Sequence, residues 1–289
     1  MISRRTRVLL DRHALAGTAL GWEPGERLAQ EAGQSVEFHD FREYRAGDEL
    51  RYVDWRAYAR TGRLYTRLHR AERSLRLHLL LDPSASMMLG GKAEFGAELA
   101  RQLAYLAQRE AVVQVHDLAG RHSRAAAGTG GLKEAWDFID SIVAAPAVAV
   151  TPVDGLTQFA ATAGVTSGRA LAVVLSDLLD PAPLRPALTA LRSRGFDVSF
   201  LQLLAAEDLD PSEGLLDLRD SESGERLLAG PAEVRAYRSA VRAFTGRIRS
   251  AVLRAGYRHL LLEVPGTDAA DPERDVILAL LRNGIITRR

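Results

Sequence analysis

The chain has 289 residues, of which 47% are hydrophobic and 26% charged, and its formal net charge is +1. This composition is typical of a globular protein with a sizeable core, and the low charge excludes a strong overall attraction to nucleic acid or membranes. The absence of cysteine excludes disulfides, thiolate metal ligands and thiol nucleophiles. No run approaches the roughly 18 apolar residues of a membrane helix, so we expect a soluble, cytoplasmic protein.

From residue 75 onward the hydrophobic pattern predicts alternating strands and helices. In chain order these are a strand at 75–81, a helix through Phe95 to Leu106, a strand at 111–119, a helix at 131–143, a strand at 170–176, a helix at 183–193, a strand at 196–204, a hairpin over 215–228, a long helix from Val234 to Val252, a strand at 259–264 and a helix at 272–282. Strands separated by helices need parallel crossover connections. The sequence therefore predicts an α/β fold with a doubly wound, mainly parallel sheet flanked by helices.

Two of the predicted strands end in acidic residues. Asp82 follows the first strand, with Ser84 and Ser86 at alternate positions, and the strand over 170–176 is followed by Asp177. Because ligands of open α/β sheets bind beyond the carboxyl ends of the strands, we expect these side chains at one edge. Carboxylate and hydroxyl oxygens suit Mg²⁺ or Mn²⁺. With so little negative charge around it, the cation would still accept a carboxylate from a partner, which indicates recognition rather than hydrolysis.

This spacing resembles the metal-ion-dependent adhesion site of von Willebrand factor type A domains. The resemblance implies metal ligands at Asp82, Ser84, Ser86 and Asp177. That family also takes a threonine from a later loop, and Thr157 is the candidate here, with Thr151 as its rival. One position departs from the family pattern, since Leu178 stands where the family often has glycine.

Residues 33–68 carry a longer motif, GQSVEFHDFREYRAGDELRYVDWRAYARTGRLYTRL. Its elements are Glu37-Phe38, Arg42-x-Tyr44, Gly47-Asp48, Arg51, Asp54-Trp55 and Ala59-Arg60. With the following Leu81 to Met87 stretch, the chain resembles the bacterial "domain of unknown function 58" family. The resemblance implies a von Willebrand A-like core at 75–289, with a hairpin and C-terminal helices, and an N-terminal extension at 1–74 packed on it. It also implies a MoxR-type AAA+ ATPase as partner, in a chaperone or metal-insertion system.

The segment over 41–76 is dense in charge and aromatic residues. Its ten arginines oppose five acidic residues, a net charge of about +5, which is too modest and too mixed for a dedicated phosphate track. We therefore do not expect nucleic-acid binding, and favour a network of ion pairs or a partner-docking face. Trp55 is expected to be a buried anchor.

No catalytic constellation stands out, so we expect no enzymatic activity. Ser84 stands where a phosphotransferase of the haloacid dehalogenase type needs a general acid, and neither a nucleophile elbow nor a P-loop is present. The prediction is a metal-dependent protein-interaction module, in which a carboxylate of the ATPase or its client completes the cation's ligands, with the cation held by the free chain or only with the partner. The predicted ligands of Mg²⁺ or Mn²⁺ are Asp82, Ser84, Ser86, Thr157 and Asp177. The alternatives are a metal-dependent phosphoesterase using the same carboxylates and an arginine-rich nucleic-acid binder.

Overall fold

The computed structural model describes residues 2–16, 37–44, 53–70, 75–145, 151–163, 170–212, 214–219, 225–266 and 269–289. It divides into two compact units. The large unit comprises Met1–Gly21 and Ser74–Arg289, and the small unit comprises Trp22–Arg73. The first residues of the chain thus belong to the same unit as the sheet.

The strands are β1 His13–Leu15, β2 Glu37–Glu43, β3 Tyr65–Arg70, β4 Leu75–Leu81, β5 Ala111–Asp117, β6 Ala170–Ser176, β7 Asp197–Leu204, β8 Leu216–Arg219, β9 Arg226–Ala229, β10 Arg258–Glu263 and β11 Ile286–Arg288. The helices are α1 Arg4–Leu10, α2 Trp55–Thr61, α3 Lys92–Ala107, α4 Gly128–Ala144, α5 Pro152–Thr162, α6 Arg185–Ser193, α7 Ala206–Leu209, α8 Pro231–Arg254 and α9 Pro272–Arg282. The strands and helices predicted from residue 75 onward are confirmed, with small shifts at their ends. The turn of the predicted hairpin, around Glu222, lies outside the described residues.

The large unit is built on a five-stranded sheet in the order β10-β7-β6-β4-β5, with every neighbouring pair parallel. β5 is the outermost strand on one side of the sheet, and the chain then crosses over β4 to form β6 on the other side of it. The strand order therefore reverses between β4 and β6, and such a switch point is where open α/β sheets bind ligands. The predicted fold class, a doubly wound parallel sheet, is confirmed.

Alternate residues of the strands enter two hydrophobic cores, one on each face of the sheet. Leu77 and Leu79 of β4 lie in the core formed with α3 and α4, whereas Leu80 lies in the core formed with α5, α6 and α8. Both faces are covered, which explains why β6 is buried at all seven positions. Among the described residues no helix is long and apolar enough to cross a membrane.

A short ribbon joins the two ends of the large unit's chain. β1 pairs antiparallel with β11, placing Ala14 opposite Thr287. The sequence gives only a weak pattern before residue 40, because a three-residue strand is too short to show periodicity. This pairing was therefore not predicted.

The small unit pairs β2 with β3 antiparallel, and α2 lies between them in the sequence. Asp54 caps α2 by accepting hydrogen bonds from the backbone N–H groups of Arg56 and Ala57, at 2.9 and 3.0 Å. Trp55 is 56% exposed and Tyr58 is 45% exposed. The prediction that Trp55 is a buried anchor is wrong, because Trp55 opens a helix that has no buried residue.

Candidate functional site

The carboxyl ends of β4 and β6 are joined by hydrogen bonds through Asp82. Its backbone N–H donates to the Leu175 carbonyl at 3.0 Å, which continues the ladder one residue past β4. Its Oδ1 accepts from the Ser84 N–H at 2.9 Å, and its Oδ2 accepts from the Ser176 hydroxyl. Asp82 and Ser84 are buried. The Asp-x-Ser-x-Ser segment is thus fixed at the switch point of the sheet.

Asp177 is fully buried at the end of β6. Its Oδ1 accepts from the Leu179 N–H at 3.1 Å, and its Oδ2 accepts from Lys92 Nζ at 2.9 Å. Its backbone carbonyl accepts from Gln202 Nε2 at 2.8 Å, and Gln202 Oε1 lies 3.1 Å from His259 Nε2. Asp177 is therefore held by its own loop through Leu179, by α3 through Lys92 and by β7 through Gln202.

Lys92 belongs to this buried cluster and is not among the residues predicted from the sequence. It is the first residue of α3, its side chain is 1% exposed, and its Nζ lies 2.9 Å from Asp177 Oδ2 and 2.8 Å from Asp208 Oδ2. A signal was available, because it is one of only two lysines beside 36 arginines. In addition, a cation in the first turn of a helix opposes the helix dipole and needs acidic partners.

The electrostatics of this buried cluster follow from burial and from the ion pairs. Burial by itself would lower the pKa of Lys92, but the adjacent carboxylates of Asp177 and Asp208 outweigh it and raise that pKa. Burial, followed by the negative charge of Asp177, raises the pKa of Asp82 to about 6, although hydrogen bonds from Ser176 and Ser84 act in the opposite direction. Lys92 is therefore charged at neutral pH.

The remaining predicted ligands lie in different surroundings. Ser86 Oγ lies 3.1 Å from Ser84 Oγ and opens a short 3-10 helix, Ser86–Met88, between β4 and α3. Thr157 lies exposed in the middle of α5, and its hydroxyl donates to the Val153 carbonyl of the same helix at 2.8 Å. Thr151, the rival, is the N-cap of α5 and accepts from the Asp154 N–H at 3.2 Å. The hydrophobic pattern does not predict α5, so the sequence alone indicates a loop at Thr157.

The oxygen atoms at this edge are poorly arranged to bind a divalent cation. All four carboxylate oxygens of Asp82 and Asp177 accept hydrogen bonds from the protein, and one of those donors is the Lys92 ammonium. The hydroxyl of Thr157 donates within its own helix, and no contact in the described part of the chain joins it to Asp82 or Asp177. Within the described part of the chain, no group of three or more acidic or histidine side chains is placed to hold a metal ion. The cation site read from the sequence stays a prediction.

Comparison with known proteins gives the family. The model of the family described as "Protein of unknown function DUF58" matches residues 40–248, which is well over half of the chain. The chain belongs to the DUF58 family. Uncharacterized proteins of Mycobacterium tuberculosis and Mycobacterium bovis are 28% identical to this DUF58 chain over 212 residues, covering 69% of it. The match spans 65% of each relative, so less than two thirds of their length.

Two solved structures from Bacteroides resemble this DUF58 protein at 16% sequence identity. An aerotolerance-related membrane protein of Bacteroides fragilis has a TM-score of 0.42, and the match covers 72% of the DUF58 chain and 100% of the other. The conserved hypothetical protein BatB of Bacteroides thetaiotaomicron has a TM-score of 0.44, covering 72% and 98%.

Leu178 of the DUF58 protein adopts a left-handed backbone conformation. Its φ is +54°, which makes it the one non-glycine residue with positive φ in the part of the chain that the structure describes. Its N–H donates to Ser176 Oγ at 2.9 Å, and its side chain is buried in the core beside α5 and α6. Glycine adopts this conformation most readily, so the leucine holds it at a steric cost.

We expect Leu178→Gly to be more stable than Leu178→Ala by about 1 kcal/mol, because glycine removes the cost of the left-handed conformation. Both variants should be less stable than wild type by about 2–4 kcal/mol, since each loses a buried side chain. Urea unfolding of the three proteins measures these differences. The matched control is Leu188, which is buried in α6. There the alanine variant should be the more stable of the pair, and the same order at both positions would contradict the interpretation.

Proposed function

We propose that this DUF58 chain is a protein-interaction module whose contact surface is the carboxyl edge of the sheet. We define the exposed part of this edge by Ser86, Leu89, Glu207 and Asp208, which surround the buried end of β4 at Asp82. The observation that carries the proposal is the buried, hydrogen-bonded charge cluster at the switch point between β4 and β6. It borders the surface at the partly exposed Asp208. Leu89, in the loop that precedes Lys92, is 54% accessible. Large apolar side chains exposed beside polar groups are typical of contact surfaces.

The partner we propose is a MoxR-type AAA+ ATPase or the client protein that it remodels, in chaperone-like assembly or metal insertion in the cytoplasm. This partner is the one implied by the sequence resemblance over residues 33–68, and the absence of a P-loop in the sequence is consistent with it. Any ATP hydrolysis in the pair would therefore belong to the ATPase. In the metal-dependent form of this proposal, Mg²⁺ or Mn²⁺ binds at the edge and a partner carboxylate completes its set of ligands. The hydrogen bonds at Asp82 and Asp177 favour a form without metal.

The alternatives from the sequence find less support. A metal-dependent phosphoesterase would need Asp177 as a metal ligand, whereas Asp177 is paired with the Lys92 ammonium. In the small unit, the exposed side chains of Trp55 and Tyr58 favour a docking face over an internal network of ion pairs. We propose that face as a second contact surface. Nucleic acid would be indicated there only by an affinity that falls steeply with salt.

The test is a titration of the purified MoxR-type ATPase from the same genome against wild type and Leu89→Glu. We expect Leu89→Glu to bind at least about tenfold more weakly, because it places a charge in the contact surface. The matched control is Leu253→Glu, since Leu253 is 49% exposed near the end of α8. It lies shortly before β10 begins, at the opposite edge of the sheet. Equal affinity of the Leu89 variant and wild type would rule out this edge, and no binding by wild type would rule out this partner.

A further inference from the structure

We propose that Lys92 is the resident cation of the carboxyl edge, so that the edge needs no divalent metal and accepts a cationic side chain of its partner. The metal part of this inference concerns the isolated chain. The partner part rests on the proposed function.

The Lys92 ammonium contacts one of the two acidic residues that the sequence assigned to the metal. Its Nζ lies within hydrogen-bond distance of both Asp177 Oδ2 and Asp208 Oδ2, and 1% of its side chain is exposed. Asp177 itself is completely buried. A buried carboxylate needs a counter-charge, and the ammonium supplies it. The role expected of a bound ion at Asp177 is therefore already filled by a side chain of the protein.

The loop before α3 holds Lys92 close to the segment that carries Asp208. Gly90 has a φ of +63°, and a Cβ built on it would lie 2.4 Å from Ala205 Cβ, so only glycine fits this approach. Asp208 is fixed in turn, because its Oδ2 also accepts from the Ala205 N–H at 2.9 Å. The contact between Lys92 and Asp208 is thus built by the backbone on both sides.

A divalent ion at Asp177 would have to lie beside the ammonium or expel it. If the ion lay beside the ammonium, the two positive charges would repel strongly, because charges interact more strongly in a buried environment than in water. Expulsion would leave the ammonium without its two carboxylate partners. The arrangement therefore disfavours metal in the wild-type chain and predicts that removing the ammonium would open the site to metal.

The resulting charge determines which partner fits. Asp82, Asp177 and Asp208 contribute three carboxyl groups against the single ammonium of Lys92, and Glu207 is exposed next to Asp208. Without a divalent ion this edge is acidic. It therefore attracts an arginine or lysine side chain and repels the partner carboxylate that a metal-dependent site would require.

Thermal unfolding of the isolated chain tests the metal part. We expect the wild-type midpoint to be the same within about 1 °C in millimolar Mg²⁺, in Mn²⁺ and in chelator. We expect Lys92→Ala to gain a saturable rise of about 3–5 °C with metal, as for an ion at ten times its Kd. Lys92→Ala/Asp177→Asn should lose that rise. A saturable rise in wild type that disappears in Asp82→Asn would overturn the inference.

A direct measurement keeps the test decisive if Lys92→Ala does not fold. Mn²⁺ binding to the wild-type chain, followed by electron paramagnetic resonance, should show no binding site tighter than about 1 mM. Tight binding of one Mn²⁺ per chain would overturn the inference.

The partner part is tested by reversing one exposed charge outside the buried cluster. We expect Glu207→Arg to weaken binding of the MoxR-type ATPase about tenfold or more, whereas a partner carboxylate at this edge would make it bind more tightly. Tighter or unchanged binding would overturn the partner assignment and leave the metal result intact. If wild type does not bind the ATPase at all, the proposed function fails and the metal test still stands.

Discussion

Lys92→Met is expected to lower the free energy of unfolding by about 3–5 kcal/mol at pH 7, because it leaves Asp177 buried without its cation. Methionine keeps most of the volume of the side chain, so the loss reports mainly on charge. Asp208 is partly exposed and contributes less, since water can solvate it. Urea unfolding followed by circular dichroism measures the change.

The second lysine of the chain provides the matched control. Lys133 pairs with Asp137 on the surface of α4, and its side chain is 78% exposed. Lys133→Met is expected to leave the free energy of unfolding nearly unchanged, because ion pairs exposed to solvent contribute little to stability. The double variant Lys92→Met/Asp177→Asn should recover about 2 kcal/mol or more, since it removes the unpaired buried charge. A Lys92→Met variant as stable as wild type would show that the ammonium does not form this buried pair.

Two histidines lie beside the core formed with α5, α6 and α8. We expect them to make the folded protein less stable at acid pH. His78 Nδ1 lies 3.0 Å from His116 Nε2, and the rings of Phe159 and Phe196 pack around His78. Burial, with a contribution from the charge of Arg76, lowers the pKa of His78 to about 4. Burial lowers the pKa of His116 to about 3, with contributions from the neighbouring histidines His78 and His122. Both rings are therefore neutral in the folded chain at neutral pH.

The sign of the pH effect follows from proton binding. Between about pH 6.5 and 4 the unfolded histidine binds a proton that the folded one does not, so stability falls as the pH falls through this range. A pKa lowered from 6.5 to about 4 makes His78 alone responsible for about 3 kcal/mol of this loss. Asp82, whose pKa is raised to about 6, acts in the opposite direction. Its contribution cancels when variants are compared at each pH.

The measurement is urea unfolding of wild type and His78→Phe at pH 7, 6, 5 and 4. We expect the variant to lose about 3 kcal/mol less than wild type over this range. At pH 7 the variant should be about 1 kcal/mol less stable than wild type, because it loses the hydrogen bond between His78 Nδ1 and His116 Nε2. The ring lies among aromatic side chains, and His78 Nε2 is buried without a hydrogen-bond partner among the described residues. Equal pH dependence of the two proteins would show that His78 does not stay neutral in the folded state.

The sequence by itself determined the strands and helices of the large unit and the position of two acidic strand ends. Apolar runs such as 75–81 and 170–176 can be identified as strands from a few consecutive residues, because the pattern of buried side chains in strands and helices repeats over short distances. The alternation of strands and helices then required parallel crossovers. From this alone, Asp82 and Asp177 could be placed at the same edge of the sheet.

Only the tertiary structure decided what surrounds these acidic residues. Lys92 and Asp177 are 85 positions apart in the chain, and their contact depends on how the loop before α3 packs against Ala205. No local pattern encodes such a distance. For the same reason the sequence could not place the hydroxyl of Thr157, which depends on α5, or the exposure of Trp55. Periodicity reports which face of an element is buried, whereas the partner of a buried charge is set by the meeting of distant segments.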